Sequence, residues 1–275
     1  MLRDKFSAIW VSHSSMMDYL RCPRMYFLRN VYKDPKTGHK VTIMQPPLAL
    51  GQVVHEVIES LSTLPVEERL KEPLLDKYKA AWEKVSGKLG GFKDKEEENV
   101  YKGRGEEMIK RVIKNPGIIL NKAVKINQEL PYFWFSEEDN LILCGKIDWL
   151  EYIPEGDSVH IVDFKTGKAD EDPDSLQLPI YLLLATNCQK RKVAGASYWY
   201  LDREDTPKRV TLPSLGEAKD RVLEIAKKVA LARKLGHFNC SKGDGCPSCL
   251  PFERVLQGKC ELVGESDYRQ DIYIV

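Results

Sequence analysis

The sequence predicts an α/β fold in which a mixed central sheet is flanked by helices. Short apolar runs of strand length lie in the middle of the chain, and Pro154-Glu155-Gly156-Asp157 supplies a turn between two of them, as in a hairpin. Longer segments with apolar residues at helical spacing lie on both sides, at 50–61 and 215–235. We therefore expect strands from the middle of the chain to form a sheet that these helices cover.

The elements follow one another without an internal repeat, and we expect one large domain spanning 1–275. The N-terminal part is expected to contain a helix at 13–31, a loop rich in Pro, Lys and Gly at 33–47, the amphipathic helix that contains His55, and a charged helical insert at 66–121. The middle part is expected to contain strands near 123–136, 141–152 and 158–164, a helix from Gln177, and strands at 193–201 and 208–212. A helix at 215–235 and a cysteine-rich cap at 237–275 follow, and we expect the cap to end in an edge strand, Asp271–Val275.

The composition is that of a globular protein, with 43% apolar and 30% charged residues. A net charge of +1 gives no overall attraction to nucleic acid, so a phosphate-binding surface must be a local basic patch. The candidates are Arg21, Arg24 and Arg29; Lys102, Arg104, Lys110 and Arg111; and Lys190, Arg191 and Lys192. No apolar run approaches membrane-spanning length and the N-terminus lacks a signal-peptide core, so we expect a cytoplasmic protein with no membrane contact.

Two of the strand-like runs contain a carboxylate near one end. The first includes Gly-x-x-Asp ending at Asp148, and the second includes Asp-x-Lys-Thr-Gly beginning at Asp163. Asp163 and Lys165 leave the same face of a strand, whereas Phe164 points the other way. Two acids and a lysine at one end of a sheet can hold a divalent cation and activate water. Taken alone, however, Asp-x-Lys beside a turn is more often a solvated surface feature.

Two helices provide further polar candidates. Gln177 and Tyr181 are four residues apart, so they share one face of a helix. His55 lies next to the apolar stripe of its helix, where a lone histidine is usually a hydrogen-bonded core residue. Each feature is weak by itself, and their combination is what indicates a site.

Together these motifs resemble the PD-(D/E)XK nuclease superfamily in its RecB-like branch, whose pattern is Gly-x-x-x-His, Gly-x-x-Asp, Asp-x-Lys-Thr-Gly and Gln-x-x-x-Tyr. The resemblance implies a restriction-endonuclease-like core that hydrolyses DNA phosphodiesters. It implies that Asp148, Asp163, the Phe164 carbonyl and His55 hold one or two Mg²⁺ or Mn²⁺ ions. By the same resemblance Lys165 acts on the attacking water, Gln177 and Tyr181 position Lys165 and the scissile strand, and Glu129 matches the acid on the first core strand.

The seven cysteines divide into two kinds. Cys144 and Cys188 lie in apolar runs and are interpreted as small core residues. The others are Cys22 near the N-terminus and Cys240, Cys246, Cys249 and Cys260 near the C-terminus.

On spacing alone the C-terminal cysteines suggest a structural zinc site. The resemblance instead implies a four-iron, four-sulfur cluster (4Fe-4S) that joins Cys22 to Cys246, Cys249 and Cys260. Ten residues separate Cys249 from Cys260, more than the family pattern has, so Cys240 is the alternative fourth ligand.

The function expected from the resemblance is that of a metal-dependent deoxyribonuclease, with an exonuclease favoured. It would act in DNA repair, recombination, phage or CRISPR-type DNA processing, alongside a helicase or another protein partner. Two alternatives remain: a non-catalytic DNA-binding or scaffold subunit of a recombination complex, and a zinc-binding interaction module. The two acids and the lysine argue against both, because neither needs these side chains together.

Overall fold

The structure, a computed structural model, describes residues 4–275. The chain divides into two compact units, each assembled from segments that are distant in sequence. The first unit contains the residues up to Met44 together with 132–145 and 214–275. The second contains 45–131 and 146–213. Mixed sheets with flanking helices confirm the predicted α/β fold class.

The strands in the described part of the chain are β1 (Ile9–Val11), β2 (Lys40–Ile43), β3 (Tyr132–Ser136), β4 (Leu141–Cys144), β5 (Trp149–Ile153), β6 (Ser158–Lys165), β7 (Lys192–Tyr200), β8 (Lys208–Val210), β9 (Glu261–Glu265) and β10 (Gln270–Ile274). The α-helices are α1 (His13–Arg21), α2 (Pro23–Tyr26), α3 (Pro46–Ser60), α4 (Leu74–Trp82), α5 (Lys95–Lys114), α6 (Gln177–Cys188), α7 (Leu215–Leu235) and α8 (Leu250–Leu256). None of the helices within residues 4–275 is long and apolar enough to cross a membrane.

The second unit contains a four-stranded mixed sheet in the order β5-β6-β7-β8. Strand β6 pairs antiparallel with β5 and parallel with β7, and it is buried from Ser158 to Phe164. Helix α6 contacts β7 and is buried from Leu178 to Ala185. A helix that is buried around most of its circumference is typical of a protein interior. Because β6 lies between β5 and β7, its C-terminal end is close to α6, and Gln177 of α6 contacts Asp163 and Lys165 of β6.

Helices α3, α4 and α5 pack against one another in the same unit. Asp94 caps the start of α5, because its side chain accepts a hydrogen bond from the Glu97 backbone N–H at 2.8 Å. Acidic residues in its first turn and basic residues in its last turn interact favourably with the helix dipole and stabilise the helix. Gly105 allows the close contact of α5 with Tyr78 and Leu50, because an added Cβ there would overlap both side chains. The segment expected to be a helical insert, 66–121, contains α4 and α5.

The first unit contains two three-stranded sheets, β1-β4-β3 and β2-β10-β9. Strand β10 pairs parallel with β2 and antiparallel with β9, so it is the central strand. The expectation that the C-terminal tail adds an edge strand is therefore wrong. The local sequence does not indicate this pairing, because β2 and β10 are far apart in the sequence and meet only when the chain folds.

Two predicted elements are interrupted. The helix expected at 13–31 breaks at Cys22, which is extended, with φ −166° and ψ 116°. The break follows from Pro23, since a residue before proline is biased towards extended backbone and proline readily begins a helix. A π-helical turn, Phe27–Val31, then follows α2. The strand expected at 141–152 is divided into β4 and β5, which belong to different sheets.

Candidate active site

Asp148 and Asp163 lie side by side at one end of the β5–β6 hairpin. Trp149 at the start of β5 pairs with Val162 on β6, so the preceding Asp148 lies opposite Asp163. The Phe164 backbone N–H donates to Asp148 Oδ2 at 2.9 Å, which anchors this carboxylate to the neighbouring strand. Asp163 is only 1% exposed. The two acids predicted from the strand motifs are thus brought together in a nearly buried position.

The ammonium group of Lys165 lies among polar groups at the end of β6. Its Nζ is 2.9 Å from Asp163 Oδ2 and 2.7 Å from Glu171 Oε2, and it also donates to the side-chain carbonyl of Gln177. Burial acts to lower the pKa of Lys165, but the charges of Asp163 and Glu171 outweigh it and raise this pKa. Lys165 is therefore held as a cation beside the acids.

The polar face of α6 points at both aspartates, as its spacing predicts. Gln177 Nε2 donates to Asp163 Oδ1 at 2.9 Å and to the Tyr181 hydroxyl oxygen at 3.3 Å. The Tyr181 hydroxyl donates to Asp148 Oδ1 at 3.4 Å. Burial raises the pKa of Tyr181 well above its ordinary value, so the phenol stays neutral and remains a donor. Gln177 and Tyr181 thus fix the orientation of Asp148, Asp163 and Lys165.

His55 on α3 completes the group from the other side. Its Nδ1 is 3.0 Å from Glu59 Oε1 and 3.4 Å from Asp148 Oδ2, and Glu59 Oε2 is 2.7 Å from Lys146 Nζ. Ligand atoms of His55, Glu59 and Asp148 lie within 4.8 Å of one another, close enough to hold one metal ion. One turn earlier, a Cβ on Gly51 would lie 3.3 Å from Thr166 Oγ1. Glycine thus lets α3 approach the residue that follows β6.

Burial and crowding of acids determine the electrostatics of this site. Burial, helped by the carboxylates of Asp163 and Glu59, raises the pKa of Asp148 to about 8 against the opposing charge of His55. Burial also raises the pKa of Asp163. For His55, burial acts to lower the pKa, but Asp148 and Glu59 outweigh it and raise the value to about 9. Acids that repel one another in a buried cleft are typical of a divalent-cation site.

The structure brings together six of the side chains singled out from the sequence: His55, Asp148, Asp163, Lys165, Gln177 and Tyr181. The Phe164 ring is buried and its backbone holds Asp148. Glu129 is different, since it lies in an exposed bend before β3 rather than on the strand, and no contact of the cluster described above involves it.

Sequence reasoning missed two acids of this site, Glu59 and Glu171. Glu59 lies four residues after His55 on α3, and that spacing was a usable signal. Glu171 lies in irregular chain between β6 and α6, where no periodicity points to it.

Four cysteines of the first unit form a second candidate metal centre. The sulfur atoms of Cys22, Cys240, Cys246 and Cys249 lie within 4.8 Å of one another, and those of Cys246 and Cys249 are 3.7 Å apart. Cys260 is outside this group, although it packs against the same apolar cluster. The fourth cysteine of the group is therefore Cys240, the alternative named from the sequence, and not Cys260.

The chemistry of this group fits a metal. Burial acts to raise the pKa of Cys246, but backbone N–H groups of Cys249 and Ser248 outweigh it and lower the pKa to about 6. A thiolate is the form that binds metal. Tetrahedral zinc with bonds of about 2.3 Å places its sulfurs about 3.8 Å apart, close to the separation of Cys246 and Cys249. A four-iron cluster needs sulfurs that are farther apart, since each binds a different iron.

Comparison with known proteins identifies the family. The chain resembles in fold a crystal structure described as "Putative exonuclease" from Eubacterium rectale, with a TM-score of 0.50, 15% identity, and coverage of 87% of this chain and 86% of that one. No curated protein sequence matches. A model of the PD-(D/E)XK nuclease superfamily matches residues 10–254. The chain therefore belongs to the PD-(D/E)XK nuclease superfamily, and the resemblance seen in its motifs is confirmed at the level of the superfamily.

Proposed function

We propose that the protein is a divalent-cation-dependent deoxyribonuclease that acts as an exonuclease in DNA repair, recombination or related DNA processing. The observation that supports this proposal most strongly is the juxtaposition of Asp148, Asp163 and Lys165, which are linked through Gln177 and Tyr181. A scaffold protein has no physical need to keep two buried acids beside a lysine.

The residues that would hold the cation are Asp148 and Asp163, with His55 and Glu59 on the α3 side. Their oxygen-rich donor set suits Mg²⁺ or Mn²⁺, and the imidazole favours Mn²⁺. When bound, such an ion supplies charge neutralisation at the scissile phosphate and lowers the pKa of coordinated water.

The remaining side chains act on the water and the phosphate. The ammonium of Lys165 has three donors, and contacts with Asp163 and Glu171 fix its position. It would orient the attacking water and stabilise negative charge that develops on the phosphate oxygens. Gln177 forms hydrogen bonds with both Asp163 and Lys165, so it would hold the carboxylate and the ammonium in a fixed relative position. Tyr181 would fix the Asp148 carboxylate by donating its hydroxyl hydrogen.

The test is cleavage of end-labelled linear and covalently closed circular DNA, each single-stranded and duplex, in Mg²⁺ and in Mn²⁺. An exonuclease degrades only linear DNA, so cleavage of circles would replace this assignment with an endonuclease. Asp163→Asn should reduce cleavage by roughly a thousandfold or more. The matched control is Asp205→Asn, because Asp205 is exposed and pairs with Arg111. Full cleavage by Asp163→Asn would overturn the proposal, and DNA binding without cleavage by the unmodified protein would favour a scaffold subunit.

We also propose that Cys22, Cys240, Cys246 and Cys249 hold a structural metal centre. The family resemblance favours a 4Fe-4S cluster, whereas the sulfur spacing favours a single zinc ion. Iron and zinc analysis of anaerobically purified protein separates the two, and a brown colour identifies the iron cluster. A preparation with neither metal would overturn the proposal without affecting the nuclease assignment.

A further inference from the structure

A cleft of about 400 Å³ in the first unit is lined by basic and polar groups that the nuclease site does not use. It lies where β2 and β10 begin, beside the paired residues Lys40 and Gln270. We call it the basic cleft, and the lining residues that matter are Lys33, His39, Lys40, Tyr268, Arg269 and Gln270. None of its lining residues is a carboxylate.

The two lysines and the arginine of the basic cleft lack acidic partners. Within residues 4–275, no carboxylate forms an ion pair with Lys33, Lys40 or Arg269. Burial lowers the pKa of Lys40, and the charges of Arg233 and Lys33 lower it further. Like charges that are held together without a counterion attract an anion.

The nearby acids do not neutralise these cations. Asp271 accepts hydrogen bonds from the Thr37 hydroxyl at 2.8 Å and pairs with His39 Nδ1 at 2.9 Å, so both its oxygens are engaged. Glu265 lies 3.9 Å from His39 Nε2. Asp34 accepts a hydrogen bond from the Lys36 backbone N–H at 2.7 Å. The imidazole therefore pairs with the acids, and within residues 4–275 no carboxylate lies within ion-pair distance of the two lysines or Arg269.

Most cations of the basic patches predicted from sequence differ in this respect. Seven of the ten have a carboxylate within ion-pair distance: Arg24, Arg29, Lys102, Arg104, Lys110, Arg111 and Arg191. Within residues 4–275 the other three, Arg21, Lys190 and Lys192, have no such pair, but they do not line a cleft with one another. With a net charge of only +1, the protein needs an unneutralised local patch to attract a polyanion. The basic cleft provides such a patch.

The side chains at the cleft favour a nucleic-acid strand over a single ion. Tyr268 is 82% exposed, so its ring is available for stacking. The next residue, Arg269, has φ 54°, a left-handed conformation that is uncommon for residues other than glycine. It belongs to the tight turn between β9 and β10, in which the Arg269 N–H donates to the Ser266 carbonyl at 2.9 Å, and this turn places Arg269 directly after Tyr268 at the cleft. A base-stacking ring beside cations is the combination used to bind single-stranded nucleic acid.

We propose that the basic cleft binds the phosphodiester backbone of single-stranded DNA, with Lys33, Lys40 and Arg269 contacting phosphates and Tyr268 stacking on a base. The inference rests on the proposed function and adds to it a DNA-holding surface in the first unit, whereas the carboxylate site belongs to the second unit. Removing these contacts weakens DNA binding without removing the hydrolytic groups.

The experiment measures fluorescence anisotropy of a labelled single-stranded oligonucleotide at several salt concentrations, with full-length protein that contains Asp163→Asn to prevent cleavage. Lys40→Glu combined with Arg269→Glu should weaken binding by at least about tenfold and reduce the slope of log affinity against log salt by about 0.7 per lost phosphate contact. Tyr268→Ala should weaken binding by about tenfold with an unchanged slope. The control is Lys228→Glu on α7, since Lys228 is exposed and already paired with Glu224.

Cleavage by the same variants with an intact carboxylate site separates this inference from the proposed function. The charge reversals should raise KM and leave kcat unchanged. The milder pair Lys40→Gln and Arg269→Ala, checked by thermal unfolding, replaces the reversals if these fail to fold. Unchanged affinity and salt slope in folded variants would overturn the inference, as would full competition by inorganic phosphate or a mononucleotide at equal phosphate concentration. Loss of cleavage only in Asp163→Asn would leave the nuclease proposal standing.

Discussion

Among individual side chains, Glu59 is the second acid, beside Asp148, in the cluster around His55. We predict that Glu59→Gln lowers affinity for divalent cations and cleavage rate by about 10- to 100-fold, because one negative charge is lost and His55 loses its carboxylate partner. Titration calorimetry with Mn²⁺ measures the affinity. Glu56→Gln is the control, since Glu56 is on the same helix and pairs with Lys84. Equal behaviour of the two variants would contradict the role of Glu59.

A second prediction concerns Lys165. Lys165→Ala should reduce turnover by at least about a hundredfold and leave divalent-cation affinity nearly unchanged, because an ammonium cannot ligate a cation and acts only on water or phosphate. Cleavage kinetics and calorimetry measure the two properties separately. Lys168→Ala provides the control, since Lys168 is exposed in the chain after β6. Loss of Mn²⁺ binding together with activity would show that Lys165 instead holds the acids in place.

Among individual side chains, the sequence predicts those neighbours that lie on the same strand or the same helix. Asp163 and Lys165 share a strand face, and Gln177 and Tyr181 share a helix face, so periodicity alone is enough to group each pair. The proximity of Glu171 to Lys165 depends on the path of an irregular segment. Such a path has no periodic signature in the sequence.

Between elements, the packing of α5 depends on Gly105. A Cβ at this position would overlap the hydroxyl of Tyr78, which is fully buried and donates to the Lys102 carbonyl at 3.0 Å. We predict that Gly105→Ala lowers the free energy of unfolding by about 1–3 kcal/mol. Gly103→Ala is the matched control on the same helix: nothing lies within 4 Å of its added Cβ. It should be neutral or raise stability by up to about 1 kcal/mol. Chemical denaturation measures both.

Glu98 links α5 to the chain that follows α4 and makes stability depend on pH. Burial acts to raise the pKa of Glu98, but hydrogen bonds from Ser86, Trp82 and the Gly87 backbone, with Lys95 nearby, outweigh it and lower this pKa. A lowered folded-state pKa contributes stability above the unfolded pKa, and this stability is lost as the pH falls through the folded value.

We therefore predict that Glu98→Gln lowers stability at neutral pH and makes the acid-induced loss of stability smaller. Thermal unfolding followed from neutral to acidic pH tests this. Glu96→Gln, at an exposed position of the same helix, is the control. An unchanged pH profile in Glu98→Gln would contradict the prediction.

Elements with strong end signals were predicted best. Helix α7 has the predicted bounds, since Ser214 and Glu217 form a capping box at its start and Gly236 ends it with φ 64°. The strand expected at 141–152 lacks such signals, and its division into β4 and β5 depends on pairing with distant strands.

For the whole molecule, the cysteine group joins segments from opposite ends of the sequence. We predict that Cys22→Ser removes the bound metal and lowers the melting temperature, because releasing a link across more than two hundred residues restores freedom to the unfolded chain and leaves three ligands. Metal analysis and thermal unfolding test this. Cys188→Ala is the control, since Cys188 lies outside the group. Retention of full metal content by Cys22→Ser would contradict the prediction.

The choice between Cys240 and Cys260 shows why long-range assembly was hard to predict. Both lie near the Cys246–Cys249 pair in sequence, and only the folded chain brings the sulfur of Cys240 within 4.8 Å of the other three. The family pattern pointed to Cys260, and local spacing could not decide between them.

The parallel pairing of β2 with β10 has a consequence for biosynthesis. Residues 40–43 emerge from the ribosome long before their partners at 270–273. Contacts so distant in sequence form slowly. Until then β2 presents unpaired backbone groups that other nascent chains can bind. A chain that stalls before Gln270 lacks the strand that joins β2 to β9, so the three-stranded sheet β2-β10-β9 cannot form in it.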